Sequence, residues 1–184
     1  MTSGKPKGTK LHTRNIEVTT YEYDEQRIIV EGSLKDDRFQ DSYLITGEKL
    51  AQGAVHHMSI RLLINCSNLL IEDIDVEMTA VPRRICRNTI NSLVPVKGLH
   101  ITKGFTAKVK KLAGGSIGCT HLVELILAMA PAVFQGFAAH QSRQPSSFEP
   151  DQAKKFVQSL VNTCSAWRDD MPHVARLKKK LNMQ

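Results

Sequence analysis

Residues 114–125, GGSIGCTHLVEL, place a thiol, an imidazole and a carboxylate close together at the start of an apolar stretch. A loop containing Gly114, Gly115 and Gly118 delivers Cys119 to the first turn of a helix expected to begin near Thr120. Unpaired backbone N–H groups and the helix dipole favour a thiolate at such a position, so Cys119 is the candidate low-pKa thiol. His121 follows in the first turn, and Glu124, three residues further on, shares its helix face. Together the three are usable ligands for a transition metal. A plainer reading stands beside this one. Cysteine is a commonly buried residue, a histidine at a helix start can serve a loop carbonyl, and Glu124 can pair with an arginine such as Arg14.

Two candidates lie at a distance. His57, beside His56, sits on an expected strand, and Cys86 follows Pro82 at an expected helix start, again a position that favours a thiolate. If the helix at Thr120 packs on the strand carrying His57, then Cys86, Cys119, His121 and His57 converge. Other chemistries lack their motifs. The glycine loop has no Lys–Ser/Thr and follows a helix, which excludes a P-loop and the dinucleotide fingerprint; neither GxSxG nor HExxH occurs.

The elements that must position these residues read as α+β. Ile16, Val18 and Thr20 alternate with polar neighbours, residues 21–26 make a polar break, and Ile28, Ile29 and Val30 return. Residues 55–64 and 69–79 alternate around an Asn65–Cys66–Ser67–Asn68 turn and form a second hairpin. The expectation is a four-stranded antiparallel sheet of two hairpins in the N-terminal half. Residues 36–53 read as a long polar loop with a short strand at 43–45. After Pro82 the periodicity is helical: 83–93, 102–112, and a long apolar helix over 120–139. A membrane span of that helix is disfavoured by His121, Glu124, Pro131, Gln135 and Gly136, so a buried helix kinked near Pro131 is expected, with no membrane insertion.

Of 25 Lys and Arg residues, eight lie in residues 1–14 and 171–184, which carry no acid; the body between them holds 17 against all 18 acidic residues. The net charge of +7 therefore resides in the ends, and nucleic acid is expected only as weak, salt-sensitive binding through these basic tails. The polar N-terminus has no apolar signal region and the four cysteines are widely spaced, which predicts a soluble, cytoplasmic protein with reduced thiols. The expected organisation is a disordered basic tail over 1–10, one α+β domain over 11–140, a linker over 141–150 and a helical extension with a basic end over 151–184.

His12–Thr13–Arg14, Glu31–Gly32 with Asp36, His57–Met58, Asp73, Pro82 with Cys86, Gly98, Gly104, Gly114–Gly115 and Gly118–Cys119–Thr120–His121–Leu122 with Glu124–Leu125 together carry a resemblance. Over residues 12–137 the chain resembles the bacterial domain of unknown function family 2889. It departs from that pattern where an acidic residue is expected between the motif histidine and methionine, so either His56 or His57 matches the motif position. The family implies no established activity. More loosely, the order of strands and cysteines is similar to iron–sulfur cluster scaffold proteins. The leading expectation is a ligand-binding protein whose Cys119, His121 and Glu124, with Cys86 and His57 as further candidates, bind a transition metal or an iron–sulfur cluster or handle sulfur. The alternatives are a non-catalytic interaction module with structural Cys119 and His121, and an enzyme using Cys119 as nucleophile with His121 as base.

Overall fold

The computed structural model describes residues 8–143 and 149–183. Parts of the expected N-terminal tail (residues 1–7) and of the expected linker (residues 144–148) lie outside the described residues. The chain divides into two compact units, Met1–Gly136 and Phe137–Gln184.

Four strands, β1 (His12–Glu22), β2 (Arg27–Arg38), β5 (Gly53–Asn65) and β6 (Leu70–Ala80), form an antiparallel sheet in the order β1-β2-β5-β6. Side-chain hydrogen bonds to the backbone set both hairpin turns. Asp24 Oδ1 accepts from the Gln26 N–H at 2.9 Å in the first. Asn65 Oδ1 accepts from the Ser67 N–H at 2.9 Å and Asn68 Oδ1 from the Leu70 N–H at 3.0 Å in the second. Between β2 and β5, the two-residue strands β3 (Ser42–Tyr43) and β4 (Lys49–Leu50) pair as a separate small hairpin.

One face of the sheet is the core face. Ile28, Val30 and Leu34 of β2 and Met58, Ile60, Leu62 and Ile64 of β5 are buried, alternating with less buried neighbours as the period of two requires. β2 continues further than the sequence pattern indicates, because Gly32 and Asp36 occupy core-face positions without being apolar. The segment expected to be a loop from Asp36 onward is thus strand as far as Arg38.

Over this face lies α2 (Thr120–Gln141), with Leu122, Val123, Leu125, Ile126, Met129 and Val133 buried. Its start lies near the start of β1, through an Arg14–Glu124 contact, and its next turns lie over Gly32, the β2 partner of Val18. The helix therefore runs in the direction of β1. By length and composition α2 is the one described helix apolar enough to cross a membrane, but in this fold it packs on the sheet. A 3-10 segment, Arg84–Val96, replaces the expected α-helix at 83–93 and contributes Leu93 and Val96 to the core. It is followed by α1 (Phe105–Ala113), which buries Phe105, Val109 and Ala113. The second unit contains α3 (Pro150–Leu160) and α4 (Pro172–Lys180), each with proline in its first turn, where the missing N–H costs no hydrogen bond.

Gly32 permits the close approach of α2. A Cβ there would lie 2.6 Å from Met129 Sδ and 2.8 Å from Met129 Cγ. Gly32→Ala is expected to destabilise the fold by about 1–3 kcal/mol, despite the better strand propensity of alanine, because the methionine must leave its seat. Urea unfolding measures this; a loss under about 0.5 kcal/mol would show that α2 is not seated this tightly.

Candidate functional site

Asp36 is a buried charged residue, 2% exposed, on the core face of β2 near the strand's end. Burial of a carboxylate is tolerated only with charged or hydrogen-bonding partners, and the flanking strands supply them in register. Arg14 lies opposite Asp36 on β1, and His56 opposite it on β5. Arg14 grips the carboxylate with both arms of its fork, Nε donating to Oδ1 and Nη2 to Oδ2, each at 2.8 Å. His56 Nδ1 lies 3.0 Å from Oδ2, and His12 Nε2, from the edge strand, 3.2 Å from Oδ1.

α2 brings the remaining groups. His121 Nε2 lies 3.8 Å from Asp36 Oδ2, and its ring sits over that of His56 with centroids 3.9 Å apart. Cys119 caps the helix, its carbonyl accepting from the Val123 N–H at 3.0 Å, and its Sγ lies 3.8 Å from His121 Nδ1. Gly118 makes this entry possible, since a Cβ there would lie 2.7 Å from Ser92 Oγ. Glu124 accepts from Arg14 Nη1 at 2.5 Å, so Arg14 is held between two carboxylates, one buried and one partly exposed.

One oxygen of Asp36, one nitrogen of His56 and one of His121 all lie within 4.8 Å of one another. These three residues, together with His12, Arg14 and Arg38, are among those lining a cavity of about 540 Å³. A depression of similar size on the opposite face of the sheet is lined by Glu17, Glu31, Arg61, Asp75 and Glu77, and no three-ligand group forms there among the described residues.

A family model for proteins of unknown function (DUF2889) matches residues 12–135. The chain belongs to this family. The matched span of the DUF2889 chain runs from the start of β1 through most of α2 and therefore contains every residue of the cluster. No curated protein and no solved structure matches it.

In this DUF2889 domain the residues singled out from sequence separate. Cys119 and His121 are in contact, and Glu124 reaches the cluster only through Arg14. His57 pairs with Lys35, on the face of the sheet opposite Asp36, so the imidazole facing the cluster from β5 is that of His56. Regular pairing runs from Leu34–Met58 through Lys35–His57 to Asp36–His56, and the bulge that skips Val55 comes only after it, between Asp36 and Asp37. Cys86 lies in the 3-10 segment and does not join the group of potential ligands. Gly114 follows α1, and residues Gly115–Ile117 form a 3-10 turn. Sequence reasoning missed Asp36 and His56 as site residues. The usable signal was the alternation 28, 30, 32, 34, 36 along β2, which puts Asp36 on the core face and requires cations opposite it.

The electrostatics follow from this packing. The Arg14 guanidinium holds the Asp36 carboxyl well below its ordinary 3.8, at about 2, against the opposing effect of burial. The guanidinium of Arg14 is correspondingly pushed up, chiefly by its hydrogen bond to Asp36. Burial first, then the neighbouring His56 and Arg14, push the His121 ring below the ordinary histidine value. A neutral ring keeps the lone pair that a metal requires.

A carboxyl whose pKa is lower folded than unfolded contributes stability above the unfolded value and loses it as the pH falls through the folded one. For Asp36 the contribution is on the order of 2 kcal/mol, present above about pH 4 and lost between about pH 4 and pH 2. Urea midpoints across that window are expected to fall more steeply for the wild type than for Asp36→Asn; equal slopes would contradict the pairing.

Proposed function

We propose that this DUF2889 domain binds a divalent transition metal through Asp36, His56 and His121 and presents it to a small molecule in the adjoining cavity. The observation that carries the reading is the convergence of one carboxylate oxygen and two imidazole nitrogens within 4.8 Å. Two histidines and one carboxylate are a recurrent donor set for zinc and non-haem iron, and three protein ligands leave positions open for water or substrate. Arg14 holds both oxygens of the Asp36 carboxylate and His12 lies against Oδ1, as orienting partners of metal ligands do. On metal binding, the His56 Nδ1 hydrogen moves to Nε2 or leaves. The thiols support an iron–sulfur cluster less well: among the described residues none joins a group of potential ligands, and burial pushes Cys66 up to about 11.

Equilibrium dialysis against Zn(II), read by elemental analysis, tests the proposal. About one equivalent is expected for the wild type, with an affinity loss of about 100-fold or more in His56→Ala and in His121→Ala and none in His57→Ala. Equal zinc uptake by all four proteins would overturn it.

A second reading has its own observation. Cys119 Sγ, His121 and Asp36 form a chain with both links at 3.8 Å, the order of a thiol nucleophile, its base and an orienting carboxylate. It is the weaker reading, since Cys119 does not line the cavity and a His121 ring pushed toward neutrality is poorly suited to stabilise a thiolate. Rapid iodoacetamide alkylation of Cys119 at neutral pH that His121→Ala slows would favour it over the metal centre.

A further inference from the structure

Arg38 extends the cluster in a way the metal ligands do not explain. It lies two residues beyond Asp36 on β2 and opposite His12 on β1, so in register with β1 it shares the face that carries Asp36 and Arg14. Its residue lines the same cavity as the three ligand residues. The other charges of that cavity are matched: Arg14 by Asp36 and Glu124, and Asp41 by Lys49 at 2.7 Å. Arg38 is a residue of intermediate exposure, and its guanidinium makes no hydrogen bond or ion pair among the described residues. Its planar fork fits a carboxylate with two parallel hydrogen bonds, and no described protein group competes for it. Two residues before Arg14 on β1, His12 remains half exposed, so a polar ligand can reach its ring.

We infer that the cavity takes a small organic dicarboxylate, one carboxylate meeting Arg38 and the other facing the metal ion held by Asp36, His56 and His121. The inference rests on the metal reading above and deepens it by assigning the ligand class. The volume of about 540 Å³ lies within the range of small-molecule sites. The wall beside the metal ligands combines apolar Leu11 and Val55 with the cationic Arg38 and the imidazole of His12, so it takes a short carbon chain with charged ends. Phosphate is the competing oxyanion chemistry, and the test includes it.

The full chain is loaded with Co(II), and the visible spectrum and calorimetric heat are recorded on adding succinate or inorganic phosphate. Three proteins are compared: wild type, Arg38→Gln, and Arg61→Gln on the opposite face of the sheet. Succinate is expected to change the cobalt spectrum of the wild type and of Arg61→Gln. In Arg38→Gln its affinity falls about tenfold or more while cobalt affinity stays within about twofold. Cobalt binding without a succinate response up to about 10 mM, or with a response that Arg38→Gln leaves unchanged, overturns this inference and leaves the metal site standing. Phosphate binding more tightly than succinate with the same dependence on Arg38 overturns the carboxylate assignment. Failure to bind cobalt at all overturns the metal reading and this inference with it.

Discussion

Replacing Asp36 by leucine is expected to cost the domain about 2–4 kcal/mol, and replacing Arg14 alone a similar amount, whereas the double replacement Arg14→Leu/Asp36→Leu recovers most of the loss. Each single replacement leaves one charge unpaired. In Asp36→Leu the Arg14 fork loses two hydrogen bonds at 2.8 Å and retains only Glu124. In Arg14→Leu a carboxylate that is 2% exposed keeps only imidazole partners. Removing both charges removes both desolvation penalties, and leucine suits a position flanked on β2 by Leu34. The double variant should fold and yet take up no metal, which separates the structural from the ligating work of Asp36. Urea unfolding with a parallel zinc measurement reads both properties. A double variant no more stable than the two singles would show that the pair contributes through shape rather than charge.

The second large effect is on thermal stability. A metal bound only by the folded protein stabilises it by about 4 kcal/mol at a thousandfold excess over its dissociation constant. For a chain of this size that corresponds to a rise in Tm of about 8–16 °C. The rise is expected for the wild type, His57→Ala and Cys86→Ser, and is expected to vanish in His56→Ala and His121→Ala. Differential scanning calorimetry with and without Zn(II) measures it. An equal rise in all five proteins would place the metal elsewhere.

The hairpins were legible because their apolar residues alternate around turns built from Asn and Asp. The long helix was legible because few of its side chains are polar. The end of β2 was hidden, since two of its core-face positions are Gly32 and Asp36, one chosen for the approach of Met129 and the other for its charge. Half of the cluster was legible at Cys119 and His121, where a helix start gathers neighbours in sequence. The other half was not, because Asp36, His56 and Arg14 meet only through strand register. That His56 rather than His57 faces the core follows from the alternation 56, 58, 60, 62, 64 along β5; which residue of β2 it meets does not. Cys86 shows the opposite case: a favourable local position, with no other element bringing ligands to it.

An anomalous difference map from crystals of the full chain soaked in Zn(II), with data collected on either side of the zinc edge, locates the metal. One strong peak is expected about 2.0–2.2 Å from an Asp36 carboxylate oxygen, His56 Nδ1 and His121 Nε2, with Arg14 still on the carboxylate. A map with no peak in this cavity, and His56 still hydrogen-bonded to Asp36, would contradict metal binding at this site.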